Sequence, residues 1–83
     1  MQVVLDKAPS KYLARMNDPM RGKMVEALKR LAKEPPEGDI KKLQGNDSYR
    51  VRVGEYRIVY YIKGDKITIS KIAPRGQAYR GIK

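Results

Sequence analysis

From Tyr49 to Ile69 apolar and polar residues alternate with a period of two, and the run is broken twice by a Gly-X pair, Gly54-Glu55 and Gly64-Asp65. Each pair is the two-residue loop of a tight antiparallel hairpin, and a loop of fixed length fixes the register of the strands it joins. The first turn sets Val53 opposite Tyr56, Arg52 opposite Arg57, Val51 opposite Ile58 and Tyr49 opposite Tyr60. The second sets Ile62 opposite Ile67 and Tyr60 opposite Ile69. One face of this meander then carries Tyr49, Val51, Val53, Tyr56, Ile58, Tyr60 and Ile62, the predicted core face. The other carries Arg50, Arg52, Arg57, Val59 and Tyr61. Unbroken alternation would bury Lys71 and expose Ile72, so a bulge near Ser70-Lys71 is expected, leaving Lys71 on the basic face and returning Ile72 to the core.

The segment ahead of the meander reads as helices that cover the core face. Val3, Val4 and Leu5 form a short apolar run ended by Asp6-Lys7-Ala8-Pro9, a strand followed by a helix over 8–16 with Pro9 in its first turn. That helix presents Tyr12, Leu13 and Met16 on one side and stops at Asn17-Asp18-Pro19. With Asp18 as N-cap, residues 19–33 form a second helix whose stripe is Met20, Met24, Ala27, Leu28 and Leu31. Pro35 and Pro36 end it, and 34–48 reads as a polar connection. The predicted fold class is α+β: an N-terminal strand, a two-helix hairpin, then an antiparallel β-meander, with both helices on one face of a four-stranded sheet. A chain of 83 residues buries only about 60% of its unfolded surface, enough for one core, so 1–83 is read as a single domain.

Composition excludes several chemistries. The chain has no Cys and no His, which removes disulfides, thiolate metal sites, histidine-dependent triads and the paired-histidine ribonuclease mechanism. No metal cluster is legible and no cofactor is expected. The opening six residues turn polar too early for a signal peptide, and no apolar run approaches the roughly 18 residues of a membrane span, so a cytoplasmic protein without membrane contact is expected. The formal charge is +10, which implies an anionic partner. It is unevenly placed, with 8 bases and 6 acids in residues 1–40 against 11 bases and 3 acids in 41–83.

Arg52 opposite Arg57 is the most informative pairing, because like charges facing each other across strands destabilise a sheet unless an anion lies between them. Arg50 lies on the same face. The last strand runs back beside Arg57 into Ala73-Pro74-Arg75-Gly76-Gln77-Ala78-Tyr79-Arg80, which brings Arg75 and Tyr79 to that surface. Guanidinium forks hold phosphates and a tyrosine stacks on an unpaired base, so the ligand class is single-stranded nucleic acid. Lys41, Lys42, Lys71 and Arg80 are further candidate RNA contacts. Tyr12, Tyr49, Tyr56 and Tyr60 read as core or core-edge aromatics.

The run "LQGNDSYRVRVGEYRIVY" at 43–60 and "APRGQAYR" at 73–80 resemble the RelE/ParE superfamily of type II toxins over nearly the whole chain. The resemblance implies the RelE-like microbial ribonuclease fold and, in the RelE branch, a metal-independent endoribonuclease that cuts messenger RNA in the ribosomal A site. There the ribose 2′-hydroxyl attacks the adjacent phosphate. By motif position Arg50 and Arg52 match two basic strand residues, Arg57 the phosphate-binding arginine, Arg75 the arginine near the leaving group and Tyr79 the base-stacking tyrosine. It also implies a cognate antitoxin, with DNA contacted only through that partner.

Two departures stand out. The RelE branch often has lysines where this chain has Arg50 and Arg52, and arginine is a poor general base; Lys71, Tyr79, Glu55 and a ribosomal group remain candidate proton acceptors. Many relatives carry His where this chain has Pro74. Two other readings fit a basic domain of this shape: a ParE-like inhibitor of DNA gyrase, and a non-catalytic RNA- or ribosome-binding protein.

Overall fold

The computed structural model describes residues 1–45 and 47–74. The elements run β1 (Gln2–Leu5), α1 (Lys7–Ala14), α2 (Met20–Leu31), β2 (Asp39–Lys42), β3 (Ser48–Val53), β4 (Tyr56–Lys63) and β5 (Lys66–Pro74). The sheet has five strands in the order β1-β5-β4-β3-β2. β1 is parallel to β5, and the other neighbours are antiparallel.

The α+β class, the element order and the hairpin registers agree with the sequence pattern. Arg52 pairs with Arg57, Val51 with Ile58 and Tyr49 with Tyr60 across β3 and β4. Across β4 and β5, Ile62 pairs with Ile67 and Tyr60 with Ile69. Gly54 and Gly64 take φ of 59° and 63°, the left-handed conformation that the first loop position of each tight turn requires. The bulge lies where expected. Tyr60 faces Ile69 while Val59 faces Lys71, so Ser70 is the extra residue, and its hydroxyl donates to the Val59 carbonyl at 3.2 Å. Lys71 thereby stays on the outer face and Ile72 returns to the core, 4% exposed.

The sheet has one strand more than the four expected. β2 lies inside the segment read as a polar connection, and Asp39-Ile40-Lys41-Lys42 pairs antiparallel with β3. Its single apolar residue, Ile40, packs against the core. A second difference concerns α2, whose N-cap is Pro19 and not Asp18. The Pro19 carbonyl accepts from the Lys23 amide at 3.2 Å, so Asp18 lies one residue too early for its carboxylate to meet the first free amides.

Both helices pack on one face of the sheet. Met24, Leu28 and Leu31 of α2 join Val51, Ile58, Tyr60, Ile67, Ile69 and Ile72, with Tyr12, Leu13, Met16, Met20 and Ala27 packed around them. Tyr60 stacks on Tyr49 with ring centroids 5.3 Å apart, and Tyr12 meets Tyr56 edge-on at 6.3 Å. Ile62 follows the alternation yet is 40% exposed; it lies past Tyr61, where the ladder with β3 ends. Among the described residues no helix is long and apolar enough to cross a membrane.

Candidate RNA-binding face

The site lies on the sheet face away from the helices. Residues directly paired across strands project to the same side, so the ladders order this face in rows. One row reads Asp39, Arg52, Arg57, Ala73 and the next Lys41, Arg50, Val59, Lys71. Beyond them stand Ser48, Tyr61 and Thr68. The structure thus brings together Arg50, Arg52, Arg57, Lys41 and Lys71. Lys42 is separated from them, since it pairs with Tyr49 in the row of the core face. Arg75, Tyr79 and Arg80 lie outside the described residues.

This face is not the uniformly solvated surface that alternation alone suggests. Val59 is fully buried and Ala73 is 7% exposed; with Leu43 they form a small apolar cluster of their own. Arg57 sits in the adjoining row and is only 4% exposed. Its Nη1 donates to the Tyr56 carbonyl at 3.2 Å, and no carboxylate pairs with it among the described residues. A guanidinium largely removed from water and left without a counter-charge is costly for the fold and is well prepared to receive an anion.

Arg50 and Arg52 are held differently. Arg50 Nη1 donates to the Asp39 carbonyl oxygen at 2.9 Å and to its Oδ1 at 3.3 Å. Arg52 Nε lies 3.8 Å from Oδ2 of the same carboxylate. The like-charge pairing of Arg52 with Arg57 therefore has an internal anion on one side. Asp39 is the functional-face residue that the sequence reading missed. The signal available for it was slight: one apolar residue, Ile40, flanked by charges between Gly38 and the Leu43-x-Gly45 turn.

Burial pushes the Tyr60 phenol up to about 12, with the neighbouring Tyr49 adding to the shift. Tyr12 is raised as well, first by burial and then by Tyr56. Both belong to the helix-covered side and are unsuited to proton transfer near neutral pH. Among the described residues no group of three or more carboxylates gathers to hold a metal ion.

A family model describing the ParE toxin of the type II toxin-antitoxin system, parDE, matches residues 5–79. The chain belongs to the RelE/ParE family of type II toxins. The RelE1 toxin-family protein of Methanocaldococcus jannaschii is 40% identical over 60 residues, covering 69% of this chain and 67% of that protein. The RelE-RelB complex of Pyrococcus horikoshii OT3 contains a chain 33% identical with a TM-score of 0.77, over 93% of this chain and 97% of that one. The RelB-RelE antitoxin-toxin complex of Methanococcus jannaschii gives 26% identity and a TM-score of 0.73, over 96% and 99%. A RelE/ParE toxin presenting this face has its cations on the rigid sheet, where the strand ladders fix their spacing.

Proposed function

We propose that this toxin is a ribosome-dependent messenger RNA endoribonuclease that cleaves in the A site without a metal. The observation that carries the reading is Arg57, buried with no carboxylate partner among the described residues and flanked by Arg52 in the ladder. Its guanidinium would hold the non-bridging oxygens of the scissile phosphate in a bidentate fork, and Arg50 and Arg52 would take the flanking backbone. The ribose 2′-oxygen forms a bond to phosphorus as the bond to the 5′-oxygen breaks. A 2′,3′-cyclic phosphate results, and the departing 5′-oxygen takes a proton to become a hydroxyl. The site contributes in-line alignment and stabilisation of the charge that grows on the phosphorane.

Four groups stand as acceptors of the 2′-hydroxyl proton: Lys71 on the basic face, Glu55 in the β3–β4 turn, Tyr79, and a group supplied by the ribosome. By motif position Arg75 serves the leaving group and Tyr79 stacks on a base. Lys41 and Lys71, and by sequence Arg80, would add backbone contacts that carry no sequence preference, whereas Lys42, in the row of the core face, would not. The relatives solved with RelB support a cognate antitoxin as the partner that silences this chain. An acidic antitoxin segment laid over the arginine rows would complement their charge.

The description of the matching family model as ParE supports a second reading, inhibition of DNA gyrase by binding. Primer extension on a translated messenger, with and without ribosomes, separates the two. Cuts within A-site codons that require ribosomes and fade in Arg57→Ala are expected. Growth-inhibiting protein that leaves messenger intact while trapping cleaved DNA would support gyrase instead.

A further inference from the structure

Asp39 lies outside the residues that the family motif marks, yet it touches two of the three arginines of the face. β2 carries it into register with Arg52, and one carboxylate then serves two guanidiniums, Oδ1 toward Arg50 Nη1 and Oδ2 toward Arg52 Nε. Its main-chain oxygen takes a second bond from Arg50. Arg50 is correspondingly held down, 13% exposed along its side chain, against 49% for Arg52.

We propose that Asp39 is a positioning residue for RNA cleavage, fixing the guanidinium planes of Arg50 and Arg52 before the strand arrives. The inference rests on the endoribonuclease reading. Arginine side chains are long and rotamer-rich, so an unheld fork must be ordered at the moment of binding, whereas a held one is already aligned. The Arg52 contact with Asp39 is at Nε, 3.8 Å from Oδ2, and Arg52 is half-exposed, so its fork remains open to a ligand. Arg57, by contrast, is fixed by burial and needs no such clamp. The face therefore combines two devices: a clamped pair for the flanking backbone and a buried cation for the reacting phosphate.

Electrostatics alone makes the opposite prediction, which gives the proposal a sharp test. Removing a negative charge from a cationic surface strengthens RNA binding. If Asp39 only offset charge, or occupied the forks as a stand-in for phosphate, its loss would speed the reaction. Asp39→Asn keeps the shape but offers one acceptor and one donor, so it can serve Arg50 or Arg52 and not both. Single-turnover cleavage is to be measured on messenger-programmed ribosomes over a range of toxin concentrations.

For Asp39→Asn the half-saturating concentration should stay level or fall, while the maximal rate drops at least about tenfold. Asp39→Glu should restore part of that rate. Glu26→Gln, the same charge change on α2, should leave it unchanged. In an Arg52→Lys background the Asp39→Asn penalty should shrink, because the clamp has already been lost at one end. A maximal rate for Asp39→Asn equal to or above wild type overturns the proposal, as does an undiminished penalty in the Arg52→Lys background. Wild-type protein that leaves ribosome-bound messenger uncut overturns the endoribonuclease reading together with it.

Discussion

The two faces of the β3–β4–β5 meander are made from alternate residues of the same strands, and they are held in different ways. Ile58 and Val59 are neighbours in sequence and both are fully buried. Among the described residues, Ile58 joins a core of nine buried residues, three of them from α2, whereas Val59 has Ala73 and Leu43 in its cluster. The helix-covered face is stabilised by apolar packing that closes on itself. The outer face uses a small apolar patch as the floor on which cations are set. The difference shows how one sheet supplies stability and an ordered array of cations together: the packed side fixes strand spacing, and that spacing then holds Arg50, Arg52 and Arg57 in place on the other side.

The largest effect expected from this contrast is on stability. Ile58→Ala should cost about 2–5 kcal/mol in denaturant unfolding, from lost burial plus the cavity left under the helices. Val59→Ala removes two buried carbons beside a smaller cluster and should cost less, about 2 kcal/mol. Equal losses would break the distinction between the faces. At the hairpin that sets the arginine register, Gly54→Ala places a side chain at φ 59° and should cost about 1 kcal/mol or more, read in the same unfolding experiment.

The smallest effect concerns pH. Tyr60 titrates near 12 in the fold against about 10 when unfolded, so the folded state favours its neutral form. Stability should therefore be unaffected by Tyr60 below about pH 10 and decline between about pH 10 and pH 12, where the unfolded chain ionises first. Tyr60→Phe, though it disturbs the Tyr49 stack, should show a shallower alkaline decline, measured as melting temperature against pH.

The parts of this molecule that were legible in its sequence are those specified locally. Period-two alternation and two Gly-X turns determine the register of three strands, and the misfit of Lys71 with Ile72 is enough to demand the bulge at Ser70. β2 was illegible because Asp39-Ile40-Lys41-Lys42 has one apolar residue and no internal period; its pairing is decided by the exposed edge of β3. The clamp on Arg50 and Arg52 depends on that strand and was hidden with it. Burial of Val59 on the outer face escaped for a similar reason, since its cluster with Leu43 and Ala73 is assembled from three segments. Ile62 followed the alternation yet is exposed, since the ladder with β3 stops at Tyr61 and a strand's own pattern does not carry where its neighbour ends.

A buried arginine with no carboxylate partner among the described residues is costly to the fold, and its presence is explained if it holds the phosphate that is cut. The most direct test is the single-turnover rate at which Arg57→Met cleaves messenger in the A site of programmed ribosomes. Methionine fills the space with no charge to desolvate, so the variant should fold at least as well as wild type. Its cleavage rate should fall by about 100- to 1000-fold, the loss typical of removing one preorganised donor to a developing oxyanion. A folded Arg57→Met protein that cuts at the wild-type rate would contradict the account.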